Sequence, residues 1–422
     1  MSATTLTRTQ LGAIVHALMA VLPVRNPADV VLKHYFREHR ALGSRDRALI
    51  ADTVYSVLRR RRLLEAVTPA ASPREMVLAS LVKLQGFGVG QLEAILTAEE
   101  RDWLVTLKAL DIDALPFEVR ADLPDWVIAR LRKHHSDDEI LALARSLQHP
   151  APLDLRVNTL KAPREAVLER LEADGTPGAA TRYSPIGVRV KEKIVLNRHP
   201  MFLDGAVEVQ DEGSQILGLL VEPKRTDMVV DFCAGAGGKT LQLGAAMDSR
   251  GRLYAYDISD VRLSNLTPRL RRSGLSNVHP QRISSENDTK VKRLRGKVDR
   301  VLVDAPCTGF GTLRRNPDLK SRQTESGLAG LNAKQFAILE AAAGLVKPGG
   351  RLVYGTCSLL EEENEAIVER FLTIHPDFSL VPCAEVLARQ GVVIPGCERY
   401  LRLLPHVHDT DGFFAAVMQR AA

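Results

Sequence analysis

Apolar residues recur at helical spacing through the first part of the chain and at strand spacing beyond it. Leu11, Ile14, Val15, Leu18 and Leu22 share one helix face, as do Ile50, Val54, Val57 and Leu58, with Ser44 placed to cap the second helix. Met76 to Leu84 and Leu92 to Leu96 continue the pattern, so residues from about 1 to 140 are expected to form a helical bundle. Near residue 150 the period changes. Leu153-Asp154-Leu155-Arg156-Val157 alternates as a strand, Pro163 to Ala173 reads as a short helix opened by proline, and Val188-Arg189-Val190 alternates again. This predicts a small α/β bridging module over 141–205, which either positions a partner or only links its neighbours. From about 206, apolar runs at 228–230, 253–256, 278–283, 299–303 and 351–355 alternate with helical segments, and Gly412-Phe413-Phe414-Ala415-Ala416-Val417 adds a last strand. Such alternation implies right-handed βαβ units in a mainly parallel sheet, with the ligand crevice beyond the C-terminal strand ends. The expected fold class is therefore α/β: a Rossmann-like domain over 206–422, preceded by the small module and an all-helical domain.

One stretch within this frame carries chemistry. Met228-Val229-Val230 runs into a loop opened by Asp231 and crowded with Gly235, Gly237 and Gly238, after which LQLGAAM reads as a helix. Glycines let a backbone turn sharply and lie against a ligand, and the helix N-terminus supplies free N–H groups. Gly238-Lys239-Thr240 would end a P-loop, with Val301-Leu302-Val303-Asp304 as its acidic strand, but Cys233 stands where the first glycine is required. A Rossmann-like adenosyl site instead asks for an acidic residue closing the next strand, and Leu253-Tyr254-Ala255-Tyr256 ends in Asp257. Asp257 favours a ribose-bearing cofactor over a nucleoside triphosphate.

Composition narrows the field moderately. The 422 residues are 45% hydrophobic and 26% charged with a net charge of +6, enough for two or three domains and for attraction to polyanions such as nucleic acid. The run Leu11 to Leu22 is too short to span a bilayer and reads as an amphipathic helix, so no membrane association is expected. Five cysteines without C-x-x-C spacing argue for reduced thiols in a cytoplasmic protein and against a zinc site or any other metal. Arg59-Arg60-Arg61-Arg62 ends one predicted helix, where cations meet the negative end of the dipole; a solvated face is the simpler reading and phosphate contact the other.

Three cysteines stand at or just past predicted strand ends: Cys233, Cys307 in DAPCTG and Cys357 in YGTCS. Cys233, Cys383 and Cys397 read as small apolar side chains. Cys357 precedes Ser358, which with Glu361 would make a capping box for the helix LLEEENEAIVERFL and hold the sulfur near an N-terminus that favours thiolate, opposed by Glu361, Glu362 and Glu363. Cys307 follows Asp304 and Pro306, beside a carboxylate that tends to keep it protonated. An adenosyl site with two crevice thiols suggests methyl transfer to a carbon that is not nucleophilic by itself. C5 of cytosine is one, because thiolate addition at C6 turns the ring into an enamine.

Asp231-Phe232-Cys233-Ala234-Gly235-Ala236-Gly237-Gly238-Lys239-Thr240, Asp304-Ala305-Pro306-Cys307-Thr308-Gly309, Arg314-Arg315-Asn316-Pro317-Asp318-Leu319-Lys320 and Thr356-Cys357-Ser358 resemble the motifs of the Sun (RsmB-like) RNA cytosine-C5 methyltransferases. The similarity runs from about 150 to the end, and the helical part looks like the NusB-like RNA-binding domain of the ribosomal RNA members. DNA cytosine-C5 methyltransferases resemble the family in fold but use the cysteine of a Pro-Cys motif as nucleophile. The resemblance implies that Cys357 is the nucleophile and that Cys307 assists proton removal. It implies too that Asp304 hydrogen-bonds the cytosine ring and that Lys239 lies between cofactor and target. Cys233, Ala234, Gly235, Ala236, Gly237, Gly238, Lys239, Asp257 and Asp304 would hold S-adenosylmethionine. Ala236 replaces the proline frequent in the family's loop, and the acidic contact after the third strand, where Ser284-Ser285-Glu286-Asn287 stands, is unassigned. Arg314, Arg315, Lys290, Lys292, Arg293, Arg295 and Lys297 would line the approach for phosphates, a solvated helix face being the bland reading of the last five. The implied substrate is RNA, 16S ribosomal RNA first and transfer RNA second, with a non-catalytic assembly factor as the contrasting class. No obligate protein partner is implied, and a monomer is expected.

Overall fold

The computed structural model describes residues 6–191 and 196–422. They form two compact units, one comprising the chain up to Pro150 with Thr312–Glu325, the other Ala151–Gly311 with Ser326–Ala422. Among the described residues no helix is long and apolar enough to cross a membrane.

The first unit is helical because its apolar residues repeat at helix spacing and its starts are capped. Thr7 with Gln10 and Ser72 with Glu75 form capping boxes, whereas the helix Ser44–Arg59 is entered from Gly43 without a side-chain cap. Ser44 is thus the first helical residue, not the cap. Leu11, Ile14, Leu18, Ile50, Val54, Val57 and Leu58 are buried in one cluster, as their spacing predicts. The arginine run is only half-buried, and each member has a partner within the helical unit. Arg59 donates to the Arg314 carbonyl at 3.2 and 3.1 Å, Arg60 lies 3.5 Å from Asp122, Arg61 pairs with Glu65 at 2.7 Å, and Arg62 pairs with Asp125 at 2.6 Å. The segment Thr312–Glu325 belongs to the same unit and takes up two of them, Arg59 through the Arg314 carbonyl and Arg61 through Ser321 Oγ at 3.4 Å. Lys320 is its anchor, with Nζ 2.6 Å from the Arg59 carbonyl, 2.9 Å from the Asp122 carbonyl and 2.8 Å from the Asp122 carboxylate. Arg314, expected on a phosphate approach, is only 4% exposed.

The second unit contains two sheets. Strands β1 (Leu153–Val157), β2 (Gly178–Ala180), β3 (Gly187–Val190) and β4 (Val207–Val209) form an antiparallel sheet in the order β2-β3-β1-β4. The helix Arg164–Ala173, entered from Pro163, contributes Val167 and Leu171 to that sheet's core. The small sheet therefore continues past residue 205, and the helix Asp137–Leu147 carries the helical unit past residue 140.

The larger sheet holds β5 (Met228–Asp231), β6 (Arg252–Asp257), β7 (Val278–Arg282), β8 (Val298–Asp304), β9 (Val346–Thr356), β10 (Phe378–Val381), β11 (Leu401–Leu403) and β12 (Phe413–Arg420). Its order is β10-β12-β9-β8-β5-β6-β7, with β11 on β12. The pairs from β7 through β9 are parallel, whereas β12 runs antiparallel to β9, β10 and β11. Both faces are covered, so successive residues enter different cores: Val229 and Leu302 one, Val230, Val301 and Val303 the other. That double burial is why these strands read as unbroken apolar runs. The chain goes from β5 outward to β6 and β7, then returns to β8 on the other side of β5. The connections leaving β5 and β8 therefore run to opposite sides and leave a crevice beyond the strand ends.

Lys320 tests the account of the helical unit. Removing its ammonium leaves Asp122, 2% exposed, short of a buried partner, so Lys320→Met is expected to destabilise this unit by about 3 kcal/mol. Both tryptophans, Trp103 and Trp126, lie in the helical unit, so their fluorescence during urea unfolding reads the change. An unaltered transition would mean that Thr312–Glu325 is held by something else.

Candidate active site

The loop after β5 is shaped by contacts that only glycine and two distant arginines permit. Gly237 has φ +82°, and a Cβ there would come within 2.1 Å of Leu266 Cδ1. The Ala234 N–H donates to the Tyr256 carbonyl and the Gly235 N–H to Asp257 Oδ2, each at 2.8 Å. Asp257 thus braces the loop, and its other oxygen accepts from the Ser259 N–H at 2.8 Å. Arg269 holds the Ala236 carbonyl at 2.7 Å, and Arg156, on β1, hydrogen-bonds the Gly238 carbonyl. These two bonds restrain a loop whose alanine at 236 is less rigid than proline. Burial lowers the Arg156 guanidinium to about 9.

Beyond this loop lies a cleft of about 660 Å³. Of the residues singled out from the sequence, Cys233, Ala234, Gly235, Ala236, Gly238, Lys239, Asp257, Asp304, Cys307 and Cys357 line it. Gly237 does not, because it faces Leu266. Lys239 Nζ sits 2.8 Å from Asp304 Oδ2 and 5.4 Å from the centre of the Phe413 ring. Burial pulls this ammonium down, but the Asp304 carboxylate more than offsets it, leaving the group above its ordinary value.

The sulfurs of Cys307 and Cys357 are 3.3 Å apart, and neither forms a disulfide. The hydrogen bond to Cys357, then burial, then the charges of Cys357 and Glu363 push the Cys307 thiol well up. Burial also raises Cys233, in keeping with an inert thiol. The expected capping box is corrected. Ser358 hydrogen-bonds Glu363, not Glu361, and the regular helix begins only at Glu365, after a short turn over Glu361–Glu363. The reason is Glu363, which is drawn inward by donors from two loops.

Several residues at the cleft had no role assigned from the sequence. Asp231 is 1% exposed and lines the cleft; its Oδ2 accepts from Thr240 Oγ1 at 2.7 Å, while its buried Oδ1 has no hydrogen-bond partner. An orphaned carboxylate oxygen beside a cleft fits a ligand that brings a cation or N–H there, as the α-ammonium of S-adenosylmethionine would. Ile258 and Ile283 offer apolar surface near the Asp257 carboxylate, suited to a nucleoside. Ile283 and Glu286 occupy the cleft edge after β7, where the third-strand contact was unassigned.

Comparison with known proteins gives the family and the fold. The family described as "16S rRNA methyltransferase RsmB/F" matches residues 218–419, and its ferredoxin-like domain matches residues 123–197. A "Probable ribosomal RNA small subunit methyltransferase B" of Synechocystis sp. is 32% identical over 433 residues, spanning 93% of this chain and 95% of its own length. The chain belongs to the RsmB/F methyltransferase family. As a member it is an RNA methyltransferase, and solved structures agree on the fold. The crystal structure of PH0851 superposes with a TM-score of 0.79 at 27% identity, covering 98% of this chain and 99% of that one. A methyltransferase homolog protein from Pyrococcus horikoshii gives 0.62 at 28% identity, covering 74% and 100%.

Asp231 provides a pH test of this RsmB/F site. Burial raises its carboxyl from 3.8 to about 7 against the Thr240 hydrogen bond. A carboxyl raised on folding contributes stability that is full below its unfolded value and lost as pH rises through its folded value, here about 7. Asp231→Asn is therefore expected to raise the melting temperature of the cofactor-free protein above that pH, with no gain in acid, and to weaken S-adenosylmethionine binding. Melting across the pH range with titration calorimetry checks both. Unchanged cofactor affinity would remove Asp231 from the site.

Proposed function

We propose that the protein transfers a methyl group from S-adenosylmethionine to C5 of a cytosine in RNA, with 16S ribosomal RNA as substrate, through a covalent Cys357–C6 bond. The observation that carries the reading is the pair of thiols 3.3 Å apart in the cleft that also holds the glycine loop, Asp257 and the Lys239–Asp304 pair. The name of the Synechocystis relative supports ribosomal RNA as the substrate class.

S-adenosylmethionine supplies an electrophilic methyl group. The carboxylate of Asp257 and the loop from Cys233 to Lys239 would hold its ribose and methionine portions. The Cys357 thiolate adds to C6, forming the S–C6 bond and making C5 nucleophilic toward that methyl group, whose bond to the sulfonium sulfur would break with S-adenosylhomocysteine as the leaving group. Cys307 assists removal of the C5 proton, after which the S–C6 bond breaks and the double bond re-forms. Lys239 and Cys357 line the same cleft. Asp304, held by Lys239, is the hydrogen-bond partner offered to the ring as charge builds on it.

Lys290, Lys292, Arg293, Arg295 and Lys297 are exposed and make no ion pair among the described residues. This supports their reading as phosphate contacts. Replacing Lys292, Arg293 and Lys297 by Gln is expected to flatten the salt dependence of RNA affinity by roughly 0.7 in log–log slope for each lost contact to single-stranded RNA. An unchanged slope would return them to a solvated face.

The cysteine roles separate on a denaturing gel. With RNA and cofactor, Cys307→Ala is expected to accumulate a covalent protein–RNA band because elimination stalls, while Cys357→Ala forms none. A band with Cys357→Ala alone would reverse the assignment. Absence of methyl transfer by the unmodified protein to any cellular RNA would refute the function.

A further inference from the structure

Glu363 is fully buried, does not line the cleft, and has no ion-pair partner among the described residues. What surrounds it is a set of donors from the two cysteine loops. The Thr308 N–H donates to Oε1 at 2.8 Å, the Thr308 hydroxyl and the Ser358 hydroxyl both donate to Oε2, and Gln335 Nε2 donates to Oε1 at 3.0 Å. Gln335 Nε2 also donates to the Pro306 carbonyl at 2.9 Å. Thr308 follows Cys307 and Ser358 follows Cys357, so one carboxylate fixes the neighbour of each thiol. The two hydroxyls lie 3.2 Å from each other, much as the two sulfurs lie 3.3 Å apart.

A buried carboxylate is stable only where donors satisfy it, and those donors are not free to turn elsewhere without leaving the charge bare. This makes the cluster stiff. The Ser358 hydroxyl additionally accepts from the Leu360 N–H at 3.0 Å, and the Gly311 N–H donates to the Cys357 carbonyl at 2.9 Å. On the other side of Cys357 the Thr356 hydroxyl donates to Asn364 Oδ1 at 2.5 Å, so each loop is restrained on both sides of its cysteine.

We infer that Glu363 is a positioning residue that sets the separation of Cys307 and Cys357 by holding Thr308 and Ser358 on one carboxylate. The inference deepens the proposed function, since it assigns a residue behind the two thiols of that reading. It takes no part in binding the cofactor or the RNA.

Glu363→Gln keeps the size of the side chain but replaces one acceptor oxygen by a donor. It is expected to lower kcat by roughly 100-fold, the cost typical of a misplacement of about 1 Å, with KM for RNA and calorimetric affinity for S-adenosylmethionine held. A second readout needs no methyl transfer. Diamide removes two hydrogens from a close thiol pair to give a disulfide, and the rate of Cys307–Cys357 bridging, followed by mass spectrometry, reports the sulfur separation. Bridging is expected to slow in Glu363→Gln, and less so in Ser358→Ala and Thr308→Val, which carry the test if the first variant does not fold. Wild-type kcat and bridging rate in the folded variants would overturn the inference, as would a loss of cofactor affinity in parallel with kcat. Inactivity of the unmodified protein on RNA would refute the proposed function alone, because bridging still measures the positioning.

Discussion

Two sulfurs that come from different strands can act on one small ring only if their loops are held a few tenths of an ångström from where chemistry needs them. Cys307 and Cys357 are 50 residues apart in sequence and 3.3 Å apart in space. Much of the sheet unit can be understood as the means of keeping them there. β8 and β9 are parallel neighbours, so their C-terminal ends stop side by side. Gly311 and Gly412 then pass so closely that a Cβ on Gly311 would come within 2.1 Å of the Gly412 carbonyl oxygen, which ties the loop after β8 to the start of β12.

Buried charge is the other recurring device. Lys239 and Asp304, Glu363 with its donors, and Asp231 with its one open oxygen all sit at the same ends of β5, β8 and β9. In a poorly solvated place a charge without partners is costly, so each such group either fixes its surroundings or waits for a ligand. Lys239 and Glu363 do the first. Asp231, with its carboxyl raised to about 7, is suited to the second.

The segment Thr312–Glu325 shows how a motif can be present for packing. The chain leaves the sheet unit after Gly311, contributes these residues to the helical unit, and re-enters at Ser326. Lys320 and the Arg314 carbonyl bind side chains and carbonyls of the helical unit. A basic run in sequence is not a basic surface once each guanidinium has a carboxylate or carbonyl to face.

The sequence by itself determined what depends on local pattern. Unbroken apolar runs marked the parallel strands because both faces of that sheet are buried, glycines marked the loop that must take positive φ at Gly235 and Gly237, and cysteines at strand ends marked the crevice. What it left open are the contacts between residues far apart along the chain. Arg156 and Arg269 reach the glycine loop across 82 and 33 positions, and Gln335 reaches Glu363 across 28. Spacing pointed to Glu361 as the partner of Ser358, but Thr308 and Gln335 converge on Glu363, and Ser358 joins them there. Periodicity records which face of an element is buried, whereas the partner that a buried polar group finds is decided when separate elements pack. The tertiary structure alone could supply it.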